Sequence, residues 1–219
     1  VRLYNYVRTS AQMIQDMNGG HPIGGSPIGS QIGYWKLDEM TGSLANDTTP
    51  NANNLTLSTS SWTPSGKQSG AWNGTGSLWM GLADDADFDF DVGQDFSLSL
   101  WAKSDSATNP GADQFLMSKQ IATNNPGYRL RFNTSGQLVY EIDDDTTSFP
   151  EDVATTTTDF YDAAWHQIIC MRDLTANKLA IYVDGHLAAE DSSVSANGSL
   201  VNSAALYVGD DDGDSANSF

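Results

Sequence analysis

Apolar residues recur at every second position in the segment DFDFDVGQDFSLSLWAKS, where Phe88, Phe90, Phe96, Leu98 and Leu100 alternate with Asp or Ser. This period of two predicts a β-strand with one buried face and one polar face. Similar short apolar runs, bounded by Gly, Asn, Asp, Ser and Pro, continue from residue 34 to residue 208. About a dozen short strands with almost no helix predict an all-β fold, a two-sheet antiparallel jelly-roll sandwich.

Two pairs of strands are separated by turn-forming sequences. The segments GYRLRF and QLVYEI flank NTSG, and residues 165–171 and 178–183 flank RDLTAN. Each pair predicts a β-hairpin. A third turn, Asp184-Gly185, leads into the next apolar run.

Helical periodicity occurs convincingly in one place only, near the N-terminus. Thr9 and Gln12 have the spacing of a capping box, and Met13, Ile14 and Met17 share one face. Asn18-Gly19-Gly20 ends this predicted helix. The Gly, Pro and Ser residues that follow, up to residue 33, predict a linker.

The chain is strongly acidic, with 28 Asp and Glu against 10 Lys and Arg and a formal charge of -18. This balance argues against nucleic-acid binding, which needs clustered Lys and Arg. The single cysteine, Cys170, lies in an apolar run and is predicted to be a buried hydrophobic residue. No apolar stretch approaches the length of about 18 residues that spans a membrane.

A series of segments resembles the laminin G-like family of the concanavalin A-like jelly rolls. The series is YWKLDEMTGSLANDTT, SGAWNGTGSLWM, DFSLSLWAKS, GYRLRFNTSGQLVYEI, AAWHQIICMRD, KLAIYVDGHLAAE and AALYVGDDDGD. Its order and spacing match over about residues 34–212, and the Trp-His strand followed by a Tyr-Val-Asp-Gly turn is its most specific part. The resemblance implies an extracellular or cell-surface location.

In that family, a segment like VRLYNYVRTSAQMIQDMNGG follows the last strand and closes the domain. Here it stands first, so the resemblance implies three units: residues 1–20 close an adjacent, preceding module, residues 21–33 form a linker, and residues 34–219 form a jelly roll that lacks its last strand. The chain is then a repeat of a tandem array, a filament subunit that exchanges strands, or a circular permutant that fills its own gap. The predicted inter-module contacts are Val1, Leu3, Tyr4, Tyr6, Met13, Ile14 and Met17.

Catalysis is not expected, because the Glu-x-Asp-x-x-Glu-like pattern of the related glucanases is absent. Calcium is the expected cofactor, because it prefers carboxylate and carbonyl oxygens and relieves the repulsion of crowded acids. Two acidic sets carry this structural-calcium prediction, the first by the family resemblance. The sets are Asp38, Glu39 and Asp47, and Asp210, Asp211, Asp212 and Asp214. The alternative for any single set, and the simpler one, is a solvated acidic turn.

Carbohydrate binding would need exposed aromatic residues at loop tips. Trp62 lies in the polar segment STSSWTPSG, and Tyr161 and Asp162 lie in TTDFYDAAW. Trp35, Trp101 and Trp165 lie in apolar strands and are expected in the core. The functional prediction is a non-catalytic extracellular adhesion module, with neighbouring copies of itself and cell-surface glycans as partners. The alternative is a carbohydrate-binding module of a larger secreted enzyme.

Overall fold

A computed structural model describes residues 1–17, 31–74, 78–120, 126–145, 150–213 and 219, and most of their regular structure is β-strand. The strands are β1 (Arg2–Tyr4), β2 (Gln31–Tyr34), β3 (Leu44–Ala45), β4 (Leu55–Leu57), β5 (Trp62–Thr63), β6 (Ala71–Trp72), β7 (Met80–Leu82), β8 (Phe96–Ala102), β9 (Gln114–Gln120), β10 (Gly127–Phe132), β11 (Gln137–Asp143), β12 (Asp152–Asp159), β13 (His166–Asp173), β14 (Lys178–Val183), β15 (His186–Asp191) and β16 (Leu206–Val208). The helices of the described ranges are α1 (Ser10–Met17) and one 3-10 turn (Ala86–Phe88). None of the described helices is long and apolar enough to cross a membrane.

Two antiparallel sheets form the sandwich. One has six strands in the order β15-β14-β13-β8-β1-β2, and the other has eight in the order β12-β11-β10-β9-β16-β7-β4-β3. A small two-stranded sheet, β5-β6, lies outside them. The predicted all-β jelly-roll sandwich with a short N-terminal helix is confirmed.

The core lies between the two large sheets. Phe96, Leu98 and Leu100 point into it from β8, and Tyr128 and Leu130 meet them from β10. Phe90 stacks on Phe96, with ring centroids 4.0 Å apart. The period of two in this part of the sequence therefore identifies core positions correctly.

The opposite face of β8 is buried as well, which the prediction of a polar outer face missed. Ser97 and Ser99 are both buried, and the Ser97 hydroxyl donates to the carbonyl of Tyr6. The segment after β1 covers this face, and serine fits there because its hydroxyl can satisfy a backbone acceptor. Burial of this face thus depends on residues remote in sequence.

The N-terminal segment is integrated into this chain's own sheet. β1 lies between β8 and β2, with Leu3 opposite Leu98 and Gly33. α1 begins with the predicted capping box: the Thr9 amide donates to Gln12 Oε1, and the Gln12 amide donates to Thr9 Oγ1.

Helix α1 lies on the outer face of the six-stranded sheet. Met13 is buried there in a cluster with Ile169, Met171 and Ala180. Among the other predicted contact residues, Leu3 and Tyr4 are buried, Val1 and Tyr6 are half-buried, and Ile14 is exposed. Nothing is described of the Met17 side chain.

The predicted linker is wrong at its C-terminal end. β2 begins at Gln31, so residues 31–33 belong to the sheet. Position 33 requires glycine, because a Cβ there would lie 2.5 Å from the ring of Trp35. The predicted helix stop at Asn18-Gly19-Gly20, and the rest of the linker up to residue 30, lie outside the described residues.

Candidate binding cleft and carboxylate groups

An aromatic cleft of about 350 Å³ opens at one end of the sandwich. Trp101 reaches it from the end of β8, and Trp165 reaches it from the residue before β13. Trp72 comes from β6, and Tyr161 follows β12. The lining is completed by residues that include Val1, Leu37, Leu100, Leu116, Val208 and Phe219. The cleft therefore offers several large aromatic rings within one small volume.

Two polar atoms in this lining are buried and have no hydrogen-bond partner among the described residues. They are the indole Nε1 of Trp72, which is a donor, and the side-chain Oε1 of Gln114, which is an acceptor. An unsatisfied buried polar group is costly, so such atoms usually meet water or a ligand. The cleft thus presents both hydrogen-bonding roles beside its aromatic rings.

Tyr161 is the one predicted carbohydrate-binding residue that lines the cleft, but it is buried. Its ring packs edge-on against Phe132 at 5.3 Å and faces Asp105 through its hydroxyl at 3.4 Å. Burial, with the charge of Asp105 adding to it, raises the pKa of the Tyr161 hydroxyl. The expectation of an exposed ring at a loop tip was therefore wrong for Tyr161.

Trp62 and Asp162 lie outside the cleft. Trp62 is half-buried in β5, where it pairs with Trp72 and donates from Nε1 to the carbonyl of Gly42 at 3.0 Å. The Asp162 carboxylate accepts from the Ala164 amide at 2.9 Å and lies 3.1 Å from Nε2 of His166. Both side chains thus have structural partners within the chain.

The sequence analysis did not predict that Trp101 and Trp165 line the cleft. Trp101 and Trp165 were expected in the core, but both are half-buried and line the cleft. Trp35 is fully buried, as expected. The sequence around each tryptophan cannot distinguish a core position from a cleft position, because all three lie in apolar runs. Trp101 and Trp165 are partly exposed because they lie at the end of the sandwich.

Two groups of three carboxylates are close enough, among the described residues, to share one ion. The first is Asp210, Asp211 and Asp212, and the second is Asp143, Asp144 and Glu151. Within each group, one oxygen from every residue lies within 4.8 Å of the others. The sequence predicted the first group, whose fourth member, Asp214, lies outside the described residues. It showed the aspartates of the second group, but gave no sign that Glu151 joins them.

Asp38, Glu39 and Asp47 do not form such a group. The Asp47 carboxylate accepts from the backbone amides of Tyr34, Thr49 and Asn53 and from the Thr49 hydroxyl. Glu39 accepts through Oε1 from the backbone and side chain of Asn46. Asp47 thus stabilises the loop after β3 with hydrogen bonds that need no ion.

The aspartates of DFDFD also have partners within the protein. Asp87 accepts from Asn53 Nδ2 at 2.8 Å, and Asp89 forms an ion pair with the buried Lys119 at 2.8 Å. Asp91 accepts from the Val92 amide, which is the first cause of its lowered pKa. These contacts account for the three carboxylates as structural groups.

Comparison with known families assigns the fold. The family described as the concanavalin A-like lectin/glucanases superfamily matches residues 73–219, which is more than half of the chain. The chain therefore belongs to this superfamily, and the matching family is the laminin G-like one that the strand series indicated.

Several solved structures are similar to this chain. The binding domain of botulinum neurotoxin serotype D/C is 15% identical, with a TM-score of 0.56, and the match covers 81% of this chain and 42% of that one. Botulinum neurotoxin type C is 15% identical, with a TM-score of 0.55, over 80% of this chain and 41% of that one. The mouse laminin alpha1 chain, domains LG4-5, is 16% identical over 64% of this chain and 32% of that one, with a TM-score of 0.46. This chain thus spans less than half the length of these solved chains. No curated protein matches it.

Proposed function

We propose that this chain is a non-catalytic module of an extracellular adhesion protein and that neighbouring copies are joined through the segment β1–α1. The observation that carries the proposal is how this segment docks. β1 pairs with β8, and α1 packs on β13 and β14, all of which lie far along the chain. The next strand in sequence, β2, follows only after residues 18–30, which are rich in Gly and Pro.

β1 pairs with β2 as well as with the remote strand β8. Because a Gly- and Pro-rich sequence connects it to β2, the segment is suited to exchange between copies. The same main-chain hydrogen bonds form whether β1 comes from this copy or from the next one, as in other cases of strand addition. The interior position of β1 also means that the sheet without it has unpaired strand edges, which favour association. Repetition of such modules would multiply weak surface contacts.

Light scattering over a range of protein concentrations tests this proposal. We expect the wild-type chain to form dimers and larger assemblies as its concentration rises. The variant Leu3→Asp, which places a charge at a fully buried core position, should not form them. A wild-type chain that stays monomeric at every concentration would show that β1 serves its own copy only.

The predicted structural calcium is part of the same proposal, at Asp210, Asp211 and Asp212. These residues follow β16 after one intervening glycine, Gly209, and their carboxylates converge. A bound ion would relieve their mutual repulsion. Calcium should raise the melting temperature of the wild type relative to EDTA, and the variant Asp211→Asn should lose part of this increase. An equal increase in the variant and the wild type would show that calcium does not bind to this group.

The aromatic cleft favours a second candidate function, carbohydrate binding. Sugars pack their apolar faces on aromatic rings and use their hydroxyls as donors and acceptors, which suits Trp101, Trp165 and the polar atoms of Trp72 and Gln114. Among the structural neighbours, botulinum neurotoxin type C is described as depending on two ganglioside molecules for cell entry, and a serotype DC domain as in complex with SialylT.

A glycan array separates this candidate from an adhesion role without sugar binding. We expect wild-type binding to one class of glycan and a loss of at least tenfold in the variant Trp101→Ala. The matched control is Trp79→Ala, because Trp79 is also half-buried and packs on Tyr207 outside the cleft. Equal glycan binding by the two variants would exclude the cleft as the binding site. The absence of glycan binding by the wild type would exclude carbohydrate binding as a function.

A further inference from the structure

The amine of Lys119 lies beside a side-chain amide. Lys119 belongs to β9, its side chain is fully buried, and its Nζ lies 3.4 Å from Oδ1 of Asn202. Asn202 belongs to the segment before β16, and β16 is the strand next to β9 in the sheet. A primary amine and a carboxamide that are 83 positions apart in the sequence are thus held in contact.

Hydrogen bonds hold the Asn202 carboxamide in one orientation. Its Oδ1 accepts from the Ala204 amide at 2.7 Å. Its Nδ2 donates to the carbonyls of Pro126 at 2.9 Å, Leu200 at 3.1 Å and Lys119 at 3.3 Å. Because Nδ2 faces three acceptors and Oδ1 faces a backbone donor, this network assigns the two ends of the amide. The Ala204 amide also lies where it would stabilise a negative charge on Oδ1 if a nucleophile added to the carbonyl carbon.

Asp89 contacts both of these residues. Its Oδ1 lies 2.8 Å from Nζ of Lys119 and accepts from the backbone amide of Asn202 at 3.4 Å. The Asp89 side chain is 14% exposed, whereas Asp84, which also lies on Nζ, is 41% exposed.

The surroundings of this contact exclude most water. Tyr128, opposite Lys119 on β10, is buried, and burial together with the charge of Asp89 raises the pKa of its hydroxyl. Burial of charged groups costs free energy, which favours proton transfer from the Lys119 ammonium to the Asp89 carboxylate, because both groups then become neutral. The neutral amine of lysine is a nucleophile.

We propose that Lys119 and Asn202 form an intramolecular isopeptide bond, with Asp89 transferring the protons. Asp89 takes one proton from the ammonium group, and the neutral Nζ attacks Cγ of Asn202. The negative charge of the tetrahedral adduct develops on Oδ1, where the Ala204 amide donates. Asp89 then gives its proton to Nδ2, the Cγ–Nδ2 bond breaks, and Asp89 removes a second proton from Nζ. The products are a secondary amide and one ammonia, which leaves with the remaining proton as ammonium.

The bond joins β9 to the segment before β16 and closes a loop of 83 residues. A covalent link of this kind restricts the unfolded chain and so stabilises the fold. The inference is independent of the proposed adhesion role, because the reaction occurs within one copy of the chain.

Mass spectrometry of the full chain and of its tryptic peptides tests the proposal. The wild type should be lighter than its sequence by the mass of one ammonia. Trypsin should not cut after Lys119 once its amine is acylated, so residues 104–129 should appear joined to residues 179–219. In a chain without the bond, residues 104–119, 120–129 and 179–219 should appear as separate peptides.

Two variants test the role of Asp89. Asp89→Asn keeps the shape of the side chain but cannot take the proton from Lys119, so bond formation after refolding should slow by about a hundredfold or more. Asp84→Asn is the matched control, because Asp84 also lies on Nζ, at 3.0 Å, but is more exposed. It should form the linked peptides at nearly the wild-type rate. Circular dichroism checks that both variants are folded.

The wild-type peptides decide whether the bond exists, even where a variant does not fold. A folded wild type without the linked peptides would overturn the proposal. A loss of ammonia without the linked peptides would also overturn it, because it would indicate succinimide formation at an asparagine. Equal rates of bond formation in folded Asp89→Asn and the wild type would overturn the role given to Asp89.

Discussion

Val1 and Trp35 form a reciprocal pair of backbone hydrogen bonds. The Trp35 amide donates to the Val1 carbonyl at 3.0 Å, and the Val1 amine donates to the Trp35 carbonyl at 2.8 Å. Trp35 is among the largest fully buried side chains, and its indole donates to the carbonyl of Asn53 at 2.7 Å. The N-terminal strand is therefore tied directly to one of the anchors of the core.

Truncation of Leu3 should destabilise the whole domain. Leu3 is fully buried between the sheets, although it is the third residue of the chain. We expect Leu3→Ala to lower the free energy of unfolding by about 2–5 kcal/mol, the usual cost of such a cavity. Urea denaturation measures this change. The control Leu187→Ala, at a residue that is 51% exposed, should stay within about 0.5 kcal/mol of the wild type.

Lys119 should be essential for stability, because its ammonium group is fully buried. It contacts Asp84 at 3.0 Å, Asp89 at 2.8 Å and the carbonyl of Asn202 at 3.3 Å. Lys119→Met leaves Asp89 without its partner, so we expect a loss of about 3–5 kcal/mol in chemical denaturation.

Lys178→Met is the matched control for Lys119, because Lys178 forms an ion pair with Glu190 at the surface. This variant should lose less than about 1 kcal/mol. Similar losses in the two variants would contradict a special role for the buried ammonium group.

The turn between β10 and β11 should require glycine at position 136. Gly136 has a φ of +71°, and a Cβ there would lie 2.1 Å from Oδ1 of Asp159. Gly136→Ala should therefore lower the melting temperature by several degrees. Gly111→Ala is the comparison, since a Cβ there meets nothing within 4 Å and its φ is not in the left-handed range. Differential scanning calorimetry measures the melting temperatures of both variants.

Stability should fall in acid because of Glu141. Burial opposes ionisation of this carboxyl, but hydrogen bonds and charges from Arg131 and Arg129 outweigh it, so its pKa lies below the usual 4.5. A group with a lowered folded-state pKa stabilises the fold above its unfolded-state pKa. It loses this effect as the pH falls through its folded-state pKa.

Unfolding free energies measured from pH 7 down to pH 3 should therefore show a loss below about pH 4.5. In Glu141→Gln this part of the loss should be smaller. An equal loss of stability in acid for the wild type and Glu141→Gln would show that Glu141 does not cause it.

The strands were predictable because their signals are local. Phe96, Leu98 and Leu100 alternate with serines, and Gly136 marks its hairpin turn, so short windows of sequence identify both elements. The burial of Cys170 also follows from its apolar neighbours and is confirmed.

The cleft was not predictable in the same way. Tyr161 lies in a polar loop but is buried by Phe132 and Phe219, whereas Trp165 lies in an apolar run but faces the cleft. Exposure of these rings depends on which distant segments pack beside them. The partnership of Glu151 with Asp143 likewise depends on where β11 and β12 end.

Disulfide formation between positions 2 and 99 tests the origin of β1 most directly. Arg2 and Ser99 are paired across β1 and β8 on the outer face of the sheet, within the reach of a disulfide. Cys170 should not interfere, because it is buried and burial raises the pKa of its thiol. The test uses two copies of the chain fused end to end in one polypeptide. In one version the two new cysteines lie in different copies, and in the other version both lie in the second copy.

The proposal predicts a disulfide between Ser99→Cys in the first copy and Arg2→Cys in the second, and little or none when both substitutions lie in the second copy. A disulfide that forms only within the same copy would contradict the joining of modules through β1.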